Sequence, residues 1–323
     1  MTMEMTTTRL SVSDIKEMNV GARIRSTFLV RASADYETKA GSPYVAMTLG
    51  DKTGTIEARA WQVSGAPTVG SAIQVGAKIT TYRDEVQLTV DAWTILDEGD
   101  EAAVDLVPSA PTSGGELLES VLTAVNEHCE GVLGDVVRAA IEMTSEKLKV
   151  WPAAQGHHHA RLSGLVQHIN SMIGIAAALH EHYRPSYDYT IDLGLVIAAI
   201  VFHDLGKVYE LSGPIGTEYT DAGRLLGHIT IGAEILADAN EDSGPLEEGR
   251  HIHLHHLILS HHGKKDWGSP VEPMTPEAVF LHQIDLMDSR MDKALTVAAE
   301  APVEGGWVDA GYGQKLFVPR GGR

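Results

Sequence analysis

Histidine occurs in only one part of this chain, and this uneven distribution divides the sequence in two. All 16 histidines of the 323 residues lie between His128 and His282. Residues 1–96 contain 10 basic and 10 acidic side chains, whereas residues 97–323 contain 15 and 34 and carry the whole net charge of −19. Two chemically different parts in a chain of this length favour two domains.

The junction between the two parts is marked by its composition. An acidic cluster that begins at Asp97 is followed by a stretch rich in proline and glycine that ends at Gly115, which is typical of a linker. We therefore predict a first domain over residues 1–96, a linker over 97–115, a second domain over 116–304 and a C-terminal tail over 305–323. Aromatic residues in the tail leave two interpretations open, an interface in a homo-oligomer or a cap on the second domain.

Short runs rich in β-branched residues, separated by turn residues, fill the first domain. In Thr55 to Trp61 apolar side chains alternate with polar ones, which is the period of a half-buried strand. Further strands are predicted over residues 23–33, 44–49, 71–82 and 85–96. Five short strands favour a small Greek-key barrel with the OB-fold as the leading candidate, although the pattern alone does not exclude another small barrel.

Several aromatic side chains of these strands lie near cationic ones in the sequence. OB-folds often hold single-stranded nucleic acid by stacking its bases on aromatic rings beside cationic groups. We therefore predict that the strand-binding side chains are Phe28, Tyr44, Arg59 and Trp61. The alternative for any single aromatic residue is packing inside the barrel.

Apolar residues recur at helical spacing throughout the second domain, and little of it resembles a strand. This pattern predicts an all-α bundle in which several helices direct side chains towards the interior. The predicted helical segments are residues 115–149, 162–183, 191–202, 229–239, 253–261 and 276–296.

The most informative segment of this domain is an apolar run that ends in an adjacent histidine and aspartate, His203-Asp204, with Lys207 shortly after. A buried charged pair needs compensation for its lost hydration. Imidazole and carboxylate suit Mn²⁺, Fe, Co²⁺ or Zn²⁺, and one carboxylate can bridge two ions. Further candidate ligands are His168, His228, His261, His262 and Asp285. Each alone could be a core or surface residue, but together they indicate several helices that each supply a ligand.

The order of these residues resembles a known superfamily. His168, His203-Asp204 and Asp285 follow the His…His-Asp…Asp pattern of the HD superfamily of metal-dependent phosphohydrolases, and the added histidines resemble its dinuclear members. The resemblance narrows to the YhaM-type 3′-to-5′ exoribonuclease family, which places an OB-fold before its HD domain. It covers nearly the whole chain and is carried by Asp51 to Ala58, Pro152-Ala153-Ala154, His158-His159-Ala160, Gly227-His228-Ile229, Leu259-Ser260-His261-His262-Gly263 and Gly268-Ser269-Pro270.

The resemblance implies a metal-dependent 3′-to-5′ exonuclease that acts on single-stranded RNA, with single-stranded DNA left open as a second substrate. Two divalent ions are expected, with Mn as the predicted metal and Fe, Co, Mg or Zn as alternatives. One ion would be held by His168, His203, Asp204 and Asp285, and the other by Asp204 as the bridge with His228, His261 and His262. The catalytic residues would be His203, Asp204 and Lys207, and the further substrate contacts would be His158, His159, Lys207 and Ser269.

Two other functions remain open from the sequence. One is an HD phosphodiesterase or phosphatase for nucleotides or cyclic dinucleotides, in which the barrel regulates or assembles the protein. The other is a non-catalytic OB-fold adaptor that binds nucleic acid. The complete set of predicted ligands argues against the adaptor. The acidic charge of the second domain argues against a long electrostatic grip on nucleic acid and favours weak, salt-sensitive binding of a short strand.

The cellular setting is predicted from two features. Cys129 is the single cysteine, so the chain cannot form an intramolecular disulfide, and a reducing compartment is indicated. The sequence contains no secretory signal pattern and no apolar run of membrane length. We therefore predict a cytoplasmic protein without a membrane partner.

Overall fold

The computed structural model describes residues 9–96, 106–154, 161–215, 217–310 and 314–321. The predicted substrate contacts His158 and His159 lie outside these residues. The chain forms two compact units, one of residues 1–108 with 213–217 and one of the remainder. Within the described ranges, no helix combines the length and the hydropathy needed to cross a lipid bilayer.

The first unit is a closed five-stranded barrel, as the alternating pattern predicts. A short helix, α1 (Val12–Glu17), precedes strands β1 (Arg23–Glu37), β2 (Pro43–Asp51), β3 (Gly54–Trp61), β4 (Ala72–Tyr82) and β5 (Glu85–Ile95). The strand order around the barrel is β1-β2-β3-β5-β4, and β4 pairs back with β1. The β3–β5 pair is parallel and the others are antiparallel. This topology confirms the OB-fold.

Alternation along the strands decides which side chains enter the barrel. Val45, Met47 and Leu49 of β2 are buried, as are Ile56, Ala58 and Ala60 of β3. Phe28 is also fully buried in this core. The prediction that Phe28 contacts a nucleic-acid strand is therefore wrong, because a ring with no accessible face cannot stack on a base.

The second unit is the expected helical bundle. Its main helices are α2 (Gly114–His128), α3 (Val132–Leu148), α4 (Gly164–Tyr183), α5 (Leu193–Phe202), α6 (Lys207–Glu210), α7 (Asp221–Leu225), α8 (Gly227–Asp242), α9 (Glu248–Ser260) and α10 (Pro276–Glu300). Two short 3₁₀ turns lie at Arg184–Ser186 and Lys265–Trp267. The predicted segment 115–149 is two helices, because the chain turns between Cys129 and Gly131.

Helix α5 is the centre of the bundle, and its sequence explains its position. Every residue from Gly194 to Phe202 is buried, so the helix is apolar on all sides. Helices α2, α3, α4, α8, α9 and α10 pack around it. The Asp192 side chain accepts a hydrogen bond from the Leu195 N–H and caps its start. Because α5 ends inside the bundle, the His203-Asp204 pair that follows it is buried as well.

Two features of the second unit differ from or extend the sequence predictions. The unit is not entirely helical, because β6 (Gly306–Asp309) and β7 (Lys315–Val318) form an antiparallel hairpin that packs on α10. Cys129 is buried, and its thiol donates a hydrogen bond to the Gly194 carbonyl. Burial, followed by the charge of Asp192, raises the pKa of this thiol to about 12, which makes it a poor nucleophile.

Candidate metal centre

The carboxylate of Asp204 lies at the middle of a group of imidazoles at the end of α5. Its Oδ2 atom is 3.4 Å from His203 Nε2 and 3.9 Å from His168 Nε2. Its Oδ1 atom is 3.4 Å from His228 Nε2 and 3.9 Å from His261 Nε2. The two oxygens of one carboxylate therefore face two different sets of histidines.

These sets correspond to two groups of possible ligand atoms. In each group the ligand atoms lie within 4.8 Å of one another, and the members are His168, His203 and Asp285 in one and His228, His261 and His262 in the other. Five separate parts of the bundle supply them: α4, the end of α5, the start of α8, the end of α9 and the middle of α10. All seven side chains predicted as metal ligands are thus brought together, including residues more than 100 positions apart.

The orientation of each ring is defined by a hydrogen bond on its far side. The Nδ1–H groups of His203, His261 and His262 donate to the carbonyl oxygens of Ile200, Ile258 and Trp267 at 2.7, 2.7 and 2.9 Å. A carbonyl oxygen only accepts, so Nδ1 carries a proton in each of these rings, and the neutral form of each ring has its lone pair on Nε2. Among the described residues, the buried Nε2 atoms of His203 and His261 have no hydrogen-bond partner. Such atoms suit a bound cation.

Two carboxylates that the sequence analysis missed orient the other histidines. The carboxylate of Asp288 accepts two hydrogen bonds. Its Oδ2 atom accepts one from His168 Nδ1 at 2.6 Å, and its Oδ1 atom accepts one from the Ser171 hydroxyl. Glu210 Oε1 accepts from both the backbone N–H and the Nδ1 of His228, each at 3.0 Å. Both acids are buried. Each acid follows a predicted site residue, Asp285 or Lys207, by three positions, but acids are common in this chain, so that spacing alone does not show which acid contacts a histidine.

The charge distribution of the site favours cation binding. Burial by itself would raise the pKa of Asp204, but Lys207 and the surrounding imidazoles lower it well below its usual range. Burial would also raise the pKa of Asp285, but the hydrogen bond that its carboxylate accepts from His168 lowers this pKa well below its usual range. Burial and the neighbouring His203 and His262 lower the pKa of His261 well below its usual value. The site therefore presents ionised carboxylates beside a neutral imidazole.

One histidine is held differently from the others. Burial lowers the pKa of His168, but the hydrogen bonds that its ring donates to the carboxylates of Asp285 and Asp288 raise it to about 9. Its Nε2 lies 3.3 Å from Asp285 Oδ1 and its Nδ1 2.6 Å from Asp288 Oδ2. His168 therefore lies between two carboxylates, so the group formed by His168, His203 and Asp285 has a strongly negative surrounding.

A cavity of about 200 Å³ opens onto this centre. Lys207 is on its wall, and the Lys207 Nζ lies 2.7 Å from Asp204 Oδ2. The residues that line it are Asp204, Lys207, His261, His262, Trp267, His282, Asp285, Leu286 and Ser289. The cavity is the place where a phosphate group would meet both the candidate ligands and the ammonium group of Lys207.

The remaining predicted substrate contacts lie in different environments. Ser269 is buried, and its hydroxyl is directed at the carbonyl oxygens of Val271 and Leu259 at 2.7 and 3.1 Å. It therefore supports the loop after α9, and its predicted substrate contact is not supported. Tyr44 and Trp61 form a cross-strand pair on the barrel with ring centroids 5.0 Å apart. The Arg59 guanidinium lies over the Tyr82 ring at 5.3 Å.

An OB-fold barrel combined with a buried centre of histidines and aspartates defines this chain as an OB-fold protein with an HD domain. The HD domain family model matches residues 165–290, which contain all seven candidate ligands. The chain is 35% identical to the 3′-5′ exoribonuclease YhaM of Halalkalibacterium halodurans over 284 residues, covering 85% of this chain and 87% of the relative. It is 34% identical to YhaM of Bacillus subtilis, covering 85% of this chain and 88% of that protein. The chain belongs to this YhaM family.

Two solved structures of OB-fold domains are similar to part of this chain. The second OB-fold domain of replication protein A from Methanococcus maripaludis covers 27% of this chain and 96% of its own, with 19% identity and a TM-score of 0.22. The OB domain of MM0293 from Methanosarcina mazei covers 30% of this chain and 92% of its own, with 21% identity and a TM-score of 0.24.

Asp288 provides a test of the hydrogen bonds that orient the candidate ligands. Replacing Asp288 with Ala is expected to weaken the binding of a divalent ion, with Mn²⁺ as the probe, about 10- to 100-fold, because His168 loses the carboxylate that orients its ring. Asp288→Asn keeps an acceptor and is expected to lose less. Titration against a chelator of known affinity measures the difference. The exposed Asp135, which pairs with Arg138 at 2.6 Å, supplies the control variant Asp135→Ala. Wild-type affinity in Asp288→Ala would contradict this role.

Proposed function

We propose that this protein hydrolyses phosphodiester bonds of single-stranded RNA from the 3′ end, with two divalent ions in the HD domain. The observation that carries this proposal is the central carboxylate of Asp204, whose two oxygens each face one group of ligand atoms. The activity by which the YhaM relatives are named supports the direction of hydrolysis and the choice of RNA.

The two ions would share Asp204. The first would be held by His168, His203, Asp204 and Asp285, and the second by Asp204 with His228, His261 and His262. Nitrogen and carboxylate oxygen donors in this proportion suit Mn²⁺, which we propose as the metal, and also Fe, Co²⁺ and Zn²⁺. When bound, such a pair of ions activates water and neutralises charge on the phosphate.

Lys207 completes the proposed catalytic group. Burial disfavours its charged form, but the carboxylate of Asp204 raises its pKa, so the side chain remains an ammonium ion. This ammonium lies on the cavity wall beside Asp204. We assign Lys207 the role of contacting a non-bridging oxygen of the scissile phosphate, where positive charge stabilises the transition state.

The barrel would hold the single strand through exposed aromatic rings. Tyr36, Tyr44 and Trp61 lie side by side across β1, β2 and β3, with ring centroids 5.5 and 5.0 Å apart. Tyr36 and Trp61 are about half exposed. Such a row can stack on successive bases without selecting their sequence, and Arg59 adds positive charge beside it.

The aromatic row gives a prediction for substrate affinity. Replacing Tyr44 and Trp61 together with Leu is expected to raise KM for a single-stranded 20-mer RNA at least about 10-fold and to leave kcat unchanged, because stacking contributes about 1–3 kcal/mol per base. Steady-state kinetics on labelled RNA provide the measurement. Val20→Ala, which changes an exposed apolar side chain elsewhere on this unit, is the control. An unchanged KM in the double variant would exclude this row from the binding surface.

One assay tests the function as a whole. The protein is incubated with Mn²⁺ and 5′-labelled single-stranded RNA, single-stranded DNA or a cyclic dinucleotide. A ladder of shortened 5′-labelled RNA is the expected result. Cleavage of the cyclic dinucleotide alone would contradict the proposal and identify a small-molecule phosphodiesterase. Inactivity towards all three substrates with every divalent ion tested would indicate a non-catalytic protein.

A further inference from the structure

Trp267 occupies an unusual position at the edge of the metal centre. It lines the 200 Å³ cavity together with candidate ligands such as Asp204, His262 and Asp285. Its side chain is nevertheless 45% exposed. Large aromatic residues normally gain stability by burial, so an indole left half exposed beside a polar cavity gains little for the fold from its outer face.

The loop that carries Trp267 is built to hold it beside His262. The Trp267 carbonyl accepts the His262 Nδ1–H at 2.9 Å, and the 3₁₀ turn Lys265–Trp267 ends at Gly268, whose φ of +88° favours glycine. Ser269, the residue after Gly268, is anchored by its buried hydroxyl, which donates a hydrogen bond to the Val271 carbonyl oxygen. The position of the indole is thus tied to a candidate ligand by backbone geometry.

Positive charge and a second ring lie next to the indole. The Lys264 Nζ is 4.8 Å from the Trp267 ring centroid, and the His282 ring centroid is 6.1 Å away. His282 itself is held by a hydrogen bond from its Nδ1 to the His261 carbonyl at 2.8 Å. It also packs over Gly263, where an added Cβ would lie 2.2 Å from the imidazole. An aromatic face beside an ammonium group is the chemistry that binds single-stranded nucleic acid.

The size of the cavity indicates what lies inside it and what lies outside. Sites that enclose a whole small ligand usually have volumes of about 300–1,000 Å³, and this cavity has about 200 Å³. It therefore has room for the reacting phosphate and little more. The base attached to the neighbouring sugar must therefore lie outside the cavity. The exposed face of Trp267 lies at the edge of the cavity, where such a base would be.

We propose that Trp267 is a substrate-positioning residue that stacks on the base next to the scissile phosphate of single-stranded RNA. This inference rests on the proposed exonuclease function and adds to it a specific contact for the reacting nucleotide. Stacking on one base at this point would orient the sugar-phosphate chain over Asp204 and Lys207 without selecting a particular base, which suits an enzyme that shortens a strand stepwise.

The test combines substitutions at position 267 with removal of the base. Trp267→Leu keeps an apolar side chain but has no aromatic face, whereas Trp267→Phe keeps one. On RNA with an intact 3′ end, Trp267→Leu is expected to raise KM about 10- to 100-fold, and Trp267→Phe to stay within about 3-fold of the wild type. On the same RNA with an abasic 3′-terminal nucleotide, the wild type and both variants are expected to behave alike.

Two controls separate this stacking from other effects. Trp307→Leu removes a more exposed indole on the β6–β7 hairpin and is expected to retain wild-type kinetics. Mn²⁺ affinity, measured against a chelator, is expected to be the same in Trp267→Leu and the wild type. Weaker Mn²⁺ binding in that variant, with equal losses on intact and abasic RNA, would show that Trp267 only supports His262 and would overturn the inference.

Failure of this inference and failure of the proposed function give different results. If the wild-type protein does not shorten RNA with any divalent ion, the proposed exonuclease function is wrong. A second outcome is that the wild type shortens RNA and that Trp267→Leu has the same KM as the wild type on intact RNA and on abasic RNA. The exonuclease function then stands and the stacking role of Trp267 is wrong.

Discussion

Replacing Asp204 with Asn is expected to lower the rate of RNA hydrolysis by at least about 10³-fold. The loss of one group that stabilises a transition state commonly costs about 10²- to 10³-fold, and Asp204 faces both groups of ligand atoms and the Lys207 ammonium at once. Asparagine preserves the size of the side chain but removes its charge. The number of Mn²⁺ ions bound per chain, measured by titration calorimetry, is expected to fall from two to at most one.

The control for this variant is Asp238→Asn, which makes the same chemical change at an exposed position on α8. It is expected to retain activity and two bound ions. Far-ultraviolet circular dichroism should show the same helical content in both variants. Two bound ions and wild-type activity in Asp204→Asn would mean that the central carboxylate is not the shared ligand, and the assignment of the site would have to be abandoned.

Gly206→Ala is expected to reduce activity about 100-fold although residue 206 is not a ligand. A Cβ atom at this position would lie 2.1 Å from the His228 carbonyl oxygen and 2.8 Å from the Gly232 nitrogen. These are backbone atoms of α8, so α8 must move away, and His228 moves with it. A displacement of about 1 Å in a catalytic group can cost about 10²-fold in rate. Overpacking is also expected to destabilise the fold by about 1–3 kcal/mol.

The matched control is Gly174→Ala, the same substitution within α4. No atom lies within 4 Å of a Cβ added there. This variant is expected to be fully active and about 0.5–1 kcal/mol more stable, since alanine in a helix interior is more favourable than glycine. RNA hydrolysis and thermal unfolding of the two variants are compared side by side. Equal activity in the two variants would show that the close approach of residue 206 to α8 does not position His228.

Much of the fold could be predicted because burial leaves a periodic record in each element. The alternation in β3 and the apolar run of α5 each identify an element from its own residues, and both are present in the structure. Phe28 shows where this reasoning stops. Its sequence neighbours are compatible with either face of β1, and the pairing of β1 with β2 and β4 in the closed barrel places the ring inside.

The candidate ligands could also be proposed from sequence, because imidazoles and carboxylates at the ends of apolar helices are few and chemically distinctive. The groups that orient them could not. Asp288 lies 120 positions from His168, and one buried acid in an acidic chain carries no local mark of its partner. Glu210 and Trp267 are of the same kind, since each acts on a histidine through a contact that exists only once the loops and helices have packed.

The sequence by itself therefore determined the two domains, the barrel, the helical bundle and the residue types that a metal centre needs. Each of these depends on periodicity or composition within one stretch of chain. Only the tertiary structure decided that the two oxygens of Asp204 face different groups of histidines, that Gly206 allows α8 to approach, and that Phe28 is buried while Trp267 is not. These features depend on distances between elements far apart in sequence, and such distances are set by packing.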